Sequence, residues 1–426
     1  MARQMKDSVV EWIGEIPEDW NILPLGNCFD ERNEKVSDYD WKPLSVTKQG
    51  IVKQLETAAK SDAHNARKKV CERDFVINSR SDRKQSCGVS AYDGSVSLIN
   101  IVLSSRFLNT EYVKYLLKNY GFAEEFYRWG TGIVADLWST KYERMKKIML
   151  PIPKENEQQK IADFLDEKVG EIDSVITKTK ETIEDYKKYK QAIITDAVTK
   201  GLNTGEPVKD SKVNWIGEIP QKWETIKIKY TSWLKGRIGW QGLKSSEYLD
   251  EGAYLITGTD FCNGIINWNS CVHISNERFE EDSDIHIKEN DLLITKDGTI
   301  GKVAIVKNCP EKVSLNSGVL LVRNTKDFKY HDKYLYFVLL SNQFWTWYEM
   351  SQTGNSTIRH LYQEQFYNFE FTYPPIEEQK EIAEYLDGKC SEIDKLITKK
   401  EELLSGLEDY KKSLIFEYVT GKKEVE

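Results

Sequence analysis

The chain has 426 residues, 40% of them hydrophobic, and a net charge of −8. This length is sufficient for two to four domains with ordinary cores. No run approaches the roughly 18 consecutive apolar residues of a membrane span, and the charged N-terminus lacks a signal-peptide core, so we expect a cytoplasmic protein. Seven scattered cysteines without a CxxC pair and five histidines without an HExxH motif favour neither a disulfide framework nor a metal site.

The first recognisable element is a hexapeptide that occurs twice. Trp-Ile-Gly-Glu-Ile-Pro occupies Trp12–Pro17 and again Trp215–Pro220, and a further tryptophan, Trp20 or Trp223, follows three residues after each copy. Glycine and proline prevent a continuous helix here. We therefore expect an irregular segment, anchored by its tryptophan and isoleucine side chains, at the start of each half of the chain.

The first hexapeptide leads into a central segment over residues 21–150. Apolar runs at Phe75–Ile77 and Val96–Val102 predict strands, and helical pieces are predicted within Thr110–Arg128. The stretch His64–Lys84 contains seven cationic and three acidic residues, although the whole chain is acidic. Because charge distribution matters more than the net sum, a basic loop on an acidic protein remains compatible with DNA binding.

A long helix is predicted after Pro151 and Pro153, because proline often precedes a helix. Residues 157–200 align without a gap with residues 378–421, and 19 of the 44 positions are identical. An apolar stripe at heptad-like spacing runs along both copies. The stripe residues that we expect to pack are Ile161, Leu165, Ile172, Ile176, Ile183, Ile382, Leu386, Ile393, Ile397 and Leu404.

A polar linker at Leu202–Val213 leads to the second hexapeptide and a second central segment, which ends near residue 373. Strands are predicted at Leu292–Ile294, Lys302–Val306 and Val319–Val322, and helical pieces within Lys333–Met350. The second long helix follows Pro374 and Pro375. The two central segments show no evident sequence similarity, so two copies of one frame enclose two different segments.

The predicted fold class is α+β, with two globular mixed α/β domains joined by two long, antiparallel, coiled-coil-like helices in a pseudo-twofold internal repeat. The apolar stripe of each helix must be buried, and the other copy is the simplest partner. The expected organisation is a hexapeptide and first domain at 1–150, a first spacer helix at 151–201, a linker, hexapeptide and second domain at 202–373, and a second spacer helix at 374–426.

These repeated motifs resemble those of the specificity subunit of type I restriction–modification systems. The resemblance is carried by the two hexapeptides with their following tryptophans, and by the helix openings Glu157-Gln158-Gln-Lys-Ile-Ala and Glu378-Gln379-Lys-Glu-Ile-Ala. It covers essentially the whole chain. The central segments themselves are not diagnostic.

The resemblance implies that each central segment is a target recognition domain for one half of a bipartite, asymmetric site in double-stranded DNA. The paired helices would fix the gap between the half-sites and dock two methyltransferase subunits, which bind S-adenosylmethionine and methylate adenine. Restriction and translocation subunits would use ATP and Mg²⁺. The chain itself would bind no cofactor and catalyse no reaction.

Candidate DNA contacts are donor-rich loops, because base edges are contacted mostly by Arg, Lys, Asn and Gln and phosphates by Arg, Lys, Ser, Thr and backbone amides. A solvated polar loop or a plain turn is the alternative for each. In the first domain the candidates are Asn78, Ser79, Arg80, Arg83, Lys84, Gln85, Thr131 and Gly132. In the second domain they are Arg237, Lys244, Lys296, Thr299, Thr353, Gly354, Asn355, Ser356 and Arg359. Trp240 and Gln241 accompany Arg237, and a buried role is favoured for Trp240.

The sequence contains only weak matches to the motifs of catalytic sites. The single Pro-Pro, at Pro374-Pro375, lacks the flanking residues of an adenine methyltransferase loop. The segment Asp297–Lys302 is too short for a phosphate-binding Walker loop, and a strand pattern follows it. Two alternatives stay open: a protein-interaction scaffold without a DNA partner, which the acidic net charge favours, and an enzyme whose site is not visible in the sequence.

Overall fold

The computed structural model describes residues 3–54, 66–132, 138–203, 205–237, 243–325, 330–352 and 359–425. The chain divides into two compact units. Unit 1 comprises Met1–Lys180 and Glu401–Glu426, and unit 2 comprises Glu181–Lys400. Each unit therefore contains one central segment together with one part of each long helix.

Unit 1 begins with short strands, and its helices lie mostly after residue 109. Its strands are β1 Met5–Asp7, β2 Glu15–Pro17, β3 Asn21–Pro24, β4 Phe29–Glu31, β5 Lys35–Val36, β6 Leu44–Thr47, β7 Gly50–Lys53, β8 Arg67–Val70, β9 Phe75–Asn78, β10 Cys87–Val89, β11 Gly94–Ser97, β12 Asn100–Ser105 and β13 Met149–Ile152. Its helices are α1 Leu25–Cys28, α2 Thr110–Leu116, α3 Tyr120–Arg128, α4 Tyr142–Met145 and the first part of α5 Glu155–Lys200.

The core of this domain is a four-stranded antiparallel sheet in the order β10-β9-β12-β4. All four residues of β9 are buried because the sheet is covered on both faces. The predicted helical stretch at 110–128 is two helices, since the side chain of Asn119 accepts a hydrogen bond from the Phe122 amide and starts a new helix.

Unit 2 repeats this plan with its own lengths. Its strands are β14 Val208–Asp210, β15 Glu218–Pro220, β16 Glu224–Lys227, β17 Ser232–Lys235, β18 Ala253–Ile256, β19 Phe261–Cys262, β20 Ile265–Ile266, β21 Val272–Ile274, β22 Leu292–Thr295, β23 Val303–Ile305, β24 Val313–Leu315, β25 Val319–Asn324 and β26 Glu370–Tyr373. Its helices are α6 Ile228–Thr231, α7 Asn276–Glu280, α8 Asp332–Leu340, α9 Asn342–Ser351, α10 Gln363–Phe366 and the first part of α11 Ile376–Val419.

The main sheet of unit 2 has the order β23-β22-β25-β17, which is the strand order of unit 1 element for element. Asp74 precedes β9 and is paired with Arg32, and Asp291 precedes β22 and is paired with Arg323. The two central segments, which show no evident sequence similarity, therefore share a topology. The smaller sheets differ, because β18 and β24 are parallel whereas β5, β8 and β11 are antiparallel.

The long helices pack antiparallel within each unit. In unit 1, Asp173 of α5 accepts from Lys411 of α11 at 2.6 Å, and the ring of Phe164 packs against that of Tyr418 in a tilted arrangement at 4.4 Å between centroids. In unit 2, Lys190 of α5 and Asp394 of α11 form the same ion pair with the partners exchanged, at 2.7 Å. The predicted α+β class with two long helices and an internal repeat is confirmed.

Most of the predicted apolar stripe is buried. Ile397 and Leu404 are only partly covered. The buried members are Ile161, Leu165, Ile172, Ile176, Ile183, Ile382, Leu386 and Ile393. Along the described parts of the chain, no helix is long and apolar enough to cross a membrane.

A buried glutamine joins each domain to the start of its long helix. The Gln158 side chain accepts from the Asn109 amide at 2.9 Å and donates to the Pro153 carbonyl at 3.0 Å. Gln379 does the same with the His331 amide and the Pro374 carbonyl, at 2.9 and 2.8 Å. Both capped helices, α2 and α8, thereby have a fixed position on the frame, which explains why the motif Glu-Gln occurs twice.

The end of each long helix is held by a buried tyrosine from the domain. Tyr112 donates to the Val419 carbonyl at 3.0 Å, and Tyr334 lies 3.3 Å from the Val198 carbonyl. The C-terminal segment also contacts the first hexapeptide, because Lys422 donates to the Ile13 carbonyl. The segments around the two hexapeptides have the same strand pairing, since β1 pairs with β2 as β14 pairs with β15.

Candidate nucleic-acid interface

The first candidate loop follows β9 and is stabilised by its own backbone. Asn78 is buried, and its side chain accepts from the Arg80 amide at 3.1 Å, so it shapes the turn rather than facing solvent. Arg80, Arg83, Lys84 and Gln85 are exposed beyond it. An asparagine that caps a turn in this way leaves the following side chains free to contact a ligand.

The structure brings the two candidate segments of the first domain together. Ser139 forms a bridge with Arg80 on one side and with Thr131 on the other. The Ser79 carbonyl also accepts from the Thr140 amide at 2.9 Å. Ser79 is partly buried, whereas Thr131 and Gly132 are exposed. These residues are distant in sequence, and the linking role of residues 138–140 was missed because nothing in their composition distinguishes them.

The cations of this loop differ in how they are engaged. The side chain of Arg80 has no hydrogen-bond or ion-pair partner among the residues that the structure describes. Arg83 lies 3.6 Å from the carboxylate of its neighbour Asp82, and Lys84 lies 3.4 Å from Glu124 while covering the ring of Tyr127. These exposed pairs are weak in water, so the cations remain available for an anion.

The second domain has an equivalent arrangement. The turn after β22 contains Lys296 and Thr299, and the Lys296 carbonyl accepts from the Leu361 amide at 3.0 Å, as the Ser79 carbonyl accepts from Thr140. His360 forms a close contact with Asp297 of the turn. Arg359 is exposed and paired with Glu349. The remaining predicted residues here, Thr353, Gly354, Asn355 and Ser356, lie outside the described residues.

Two candidates of the second domain are placed differently. Arg237 is buried, with 1% exposure, and donates to the Leu315 carbonyl at 2.9 Å and to the Ser314 hydroxyl at 3.0 Å. Burial also lowers the pKa of its guanidinium. In this structure its side chain links the segment after β17 to β24 and does not face solvent, and its contact with DNA stays a prediction. Lys244 is exposed at the start of a short turn, and Trp240 and Gln241 lie outside the described residues.

Groups suited to metal-dependent chemistry are absent from the described ranges, where no cluster of three or more His, Cys, Asp or Glu side chains could hold a metal ion. Two buried cysteines, Cys87 and Cys28, are also poor nucleophiles. Burial raises the pKa of Cys87 to about 12 and that of Cys28 to about 11, so both stay protonated near neutral pH. The exposed loops offer hydrogen-bond donors and positive charge.

The comparisons with known proteins agree with this geometry. Residues 220–405 match the family model described as "Type I restriction modification DNA specificity domain". The putative type I restriction enzyme MjaX specificity subunit of Methanocaldococcus jannaschii is 23% identical, over 96% of this chain and 95% of its own length. The MjaVIII specificity subunit of the same organism is also 23% identical, over 96% of this chain and 93% of its own. The chain is thus similar to type I specificity subunits over nearly its whole length.

A solved structure from work on "complex assembly and conformational transition of the type I R-M system" has the same fold, with a TM-score of 0.71 and 14% identity. It covers 96% of this chain and 99% of that one. The family match, the curated relatives and this fold together agree with the resemblance that the repeated motifs carry. As in the sequence, it extends beyond the matched domain to the hexapeptides and both long helices.

The long helices of this chain also expose apolar side chains at matching positions. Val175 and Leu396 occupy one position of the repeat, with 46% and 43% exposure, and Tyr189 and Tyr410 occupy another, with 58% and 55%. In unit 1 the Asp173–Lys411 pair links the segments that carry Val175 and Tyr410. Each unit thus presents the same pair of uncovered apolar residues on its helices.

Proposed function

We propose that the chain is the DNA-specificity subunit of a type I restriction–modification complex and that each target recognition domain contacts one half of a bipartite, asymmetric site. The observation that carries this proposal is the repetition of one frame around two domains with the same topology and different exposed loops. A repeated frame presents both loops in the same way, while different loop residues select different bases.

The base-contacting residues differ in kind between the domains. Arg80 and Arg83 give the first domain two exposed guanidinium groups, which suit bidentate contact with guanine. The second domain offers Lys296, Thr299 and Arg359 at the matching place. We infer that the two domains recognise different sequences, as an asymmetric site requires.

Partner docking is supported by the exposed apolar pairs on the helices. Val175 with Tyr410, and Leu396 with Tyr189, provide two equivalent surfaces for two copies of one partner, here two methyltransferase subunits. S-adenosylmethionine would bind to those subunits, and ATP and Mg²⁺ to the restriction subunits. The paired helices would fix the spacing of the two domains and hence the gap in the DNA site. The chain itself contributes no catalytic group to this scheme.

The test is an exchange of residues 21–150 for the corresponding domain of another specificity subunit, followed by a genome-wide map of N6-methyladenine. We expect one half of the methylated motif to change while the other half and the gap stay the same. The unaltered chain and a chain with the second domain exchanged are the matched controls. A change in both half-motifs would contradict the assignment of one domain to one half-site.

The net charge of −8 favours a second candidate, a protein-interaction scaffold without a DNA partner. Salt dependence separates the two functions. A DNA-binding subunit loses affinity steeply as the salt concentration rises. Each phosphate that a lysine or arginine neutralises releases condensed counterions, and this release becomes less favourable at high salt. A scaffold would leave the methylation map unchanged on deletion and would bind no duplex at any salt concentration.

A further inference from the structure

Unit 1 contains a cleft of about 740 Å³ between its target recognition domain and its parts of the long helices. Val169, Ile176 and Ile415 contribute apolar surface to it. Its charged residues are mostly cationic, with six lysines and the three carboxylates of Asp166, Asp173 and Glu408. The lysines are Lys48, Lys114, Lys118, Lys180, Lys411 and Lys412. This excess of positive charge stands out on a chain whose net charge is −8.

Three of the lysines are held by the three carboxylates. Lys114 pairs with Asp166 at 2.6 Å, Lys411 with Asp173 at 2.6 Å and Lys180 with Glu408 at 3.8 Å. Lys412 pairs with Asp409 at 2.9 Å. The acidic groups that line the cleft are therefore already engaged, and they do not neutralise the remaining two lysines.

Lys48 and Lys118 are the unneutralised pair. Neither ammonium group has a hydrogen-bond or ion-pair partner in the part of the chain that the structure describes. Lys118 is half-buried, and its pKa is lowered by burial and by the nearby charges of Lys411 and Lys114. A buried cation without a counterion is costly, so an incoming anion would be favoured here.

The corresponding positions of unit 2 have lost this character. The equivalence of α2 and α8, in which Tyr112 matches Tyr334, places Tyr336 where unit 1 has Lys114 and Leu340 where it has Lys118. The internal repeat of the long helices places Gln191 where unit 1 has Lys412. Gln191 donates to the Leu340 carbonyl at 2.7 Å and to Asn342 at 3.1 Å. The frame does not require lysines at these positions, which indicates that the charge in unit 1 serves a ligand.

The cleft also adjoins the candidate DNA-contacting loop. Gln85, the last residue of that loop, lines the cleft, and Lys48 comes from the turn between β6 and β7. We propose that the cleft of unit 1 binds the sugar–phosphate backbone of the DNA beside the half-site of the first domain. This proposal rests on the proposed function and extends it, because it makes the two half-sites unequal in their phosphate contacts.

The first measurement is lysine acetylation of the full wild-type chain with and without duplex DNA of arbitrary sequence, read by mass spectrometry. Phosphate binding does not depend on sequence, so the target need not be known. We expect the duplex to protect Lys48 and Lys118 several-fold. Lys188, which is 79% exposed on α5 in unit 2 outside the cleft, is the control and should keep its reactivity.

The second measurement is the salt dependence of duplex binding by the double variant K48M/K118M. Methionine keeps the apolar stem of each side chain and removes only the charge. Loss of one or two phosphate contacts should reduce the slope of log K against log salt by about 1–2, at about 0.9 for each phosphate. The variant K188M should retain the wild-type slope.

The outcomes separate the two proposals. If the duplex binds and protects Lys84 of the candidate loop but leaves Lys118 reactive, the cleft proposal is wrong and the proposed function stands. Protection of Lys118 by a methyltransferase subunit, and not by DNA, would overturn it in favour of an acidic segment of that partner. A chain that binds no duplex at any salt concentration would contradict the proposed function and the cleft proposal with it.

Discussion

Trp20 and Trp223 follow the two copies of the hexapeptide at the same position, and both are fully buried. Trp20 donates to the Glu157 carboxylate at 2.9 Å, and Arg3 donates to the same carboxylate. The Trp223 ring nitrogen has no partner among the described residues, although Glu378 occupies the position of Glu157 in the repeat. The two units thus keep the same packing but not the same polar network.

The missing component in unit 2 is the arginine. The position that corresponds to Arg3 is Glu206, which pairs instead with Lys222 at 3.3 Å. Unit 1 therefore has a cation where unit 2 has an anion at this position, and at the lysine-lined cleft it has cations where unit 2 has neutral side chains. The comparison teaches that the repeated frame preserves buried contacts and that charge is where the two halves have diverged.

The largest expected effect comes from the buried glutamines, which are the same in both units. Replacing Gln158 or Gln379 with leucine keeps the volume but leaves one amide and one carbonyl without a partner. Because each orphaned buried group costs about 1–3 kcal/mol, we expect each variant to destabilise its own unit by about 2–4 kcal/mol. Hydrogen exchange measured by mass spectrometry resolves the two units and checks this.

The matched pair makes the result diagnostic. Q158L should speed exchange in the peptides of α2 and leave those of α8 unchanged, and Q379L should do the reverse. Equal acceleration in both units by either variant would show that the units do not open independently. The free energies of opening of the two units could then not be compared separately.

The sequence predicted the frame well because the frame is encoded locally. The heptad-like stripe required a helix, and a 44-residue alignment made the repeat visible. The shared topology of the two domains was not predicted. Different apolar side chains can form the same buried strand, so two sheets of the same topology need not have similar sequences. Only the structure shows that β9 and β22 hold the same place in their sheets.

The candidate interface was predicted only in part. The cations that cluster along the sequence predict the loop around Arg80, but its contact with Ser139 joins residues far apart in the chain. The burial of Arg237 is not predicted, since arginine after a strand and next to glycine resembles an exposed loop residue. Its role in binding the Ser314 hydroxyl depends on a neighbouring strand that the sequence pattern does not identify.

The next largest effect distinguishes the two tryptophans. W20F and W223F remove the same volume, but only W20F removes a hydrogen bond to a carboxylate. Since hydrogen bonds to charged groups contribute about 1.5–3 kcal/mol, we expect W20F to cost more than W223F by about that amount. Denaturant unfolding followed by exchange in peptides of each unit measures the difference.

The variant R3A is a control that changes the hydrogen bonds to Glu157 but leaves the Trp20 ring in place. R3A should weaken unit 1 by a smaller amount than W20F, because Glu157 keeps its bond from Trp20. If W223F lowers the free energy of unfolding as much as W20F does, then the Trp223 ring nitrogen has an equivalent hydrogen-bond partner in solution. The two units would then not differ in the hydrogen bonding of this tryptophan.

The smallest effect is a pH dependence confined to unit 2. Asp332 lies in the first turn of α8, and burial, with a contribution from the charge of Asp291, raises its pKa from 3.8 to about 6. Lys307 opposes this shift. The matching residue of unit 1 is Thr110, which does not titrate near these values. Unit 1 is therefore an internal control for any pH effect that arises from this position.

The sign follows from proton binding. Between pH 4 and pH 6 folded unit 2 retains a proton that the unfolded chain releases, so stability falls as pH rises through this window and is flat above it. One unit of pKa shift corresponds to about 1.4 kcal/mol, and because Asp332 is partly exposed we expect a loss of only about 1–2 kcal/mol.

The measurement is the protection of α8 against hydrogen exchange, corrected for the intrinsic exchange rate at each pH. This protection should decline as the pH rises from 4 to 6, whereas the protection of α2 should not change. D332N should abolish the decline, because asparagine stays neutral throughout. A decline that persists in D332N would assign the titration to another group and would remove this difference between the two units.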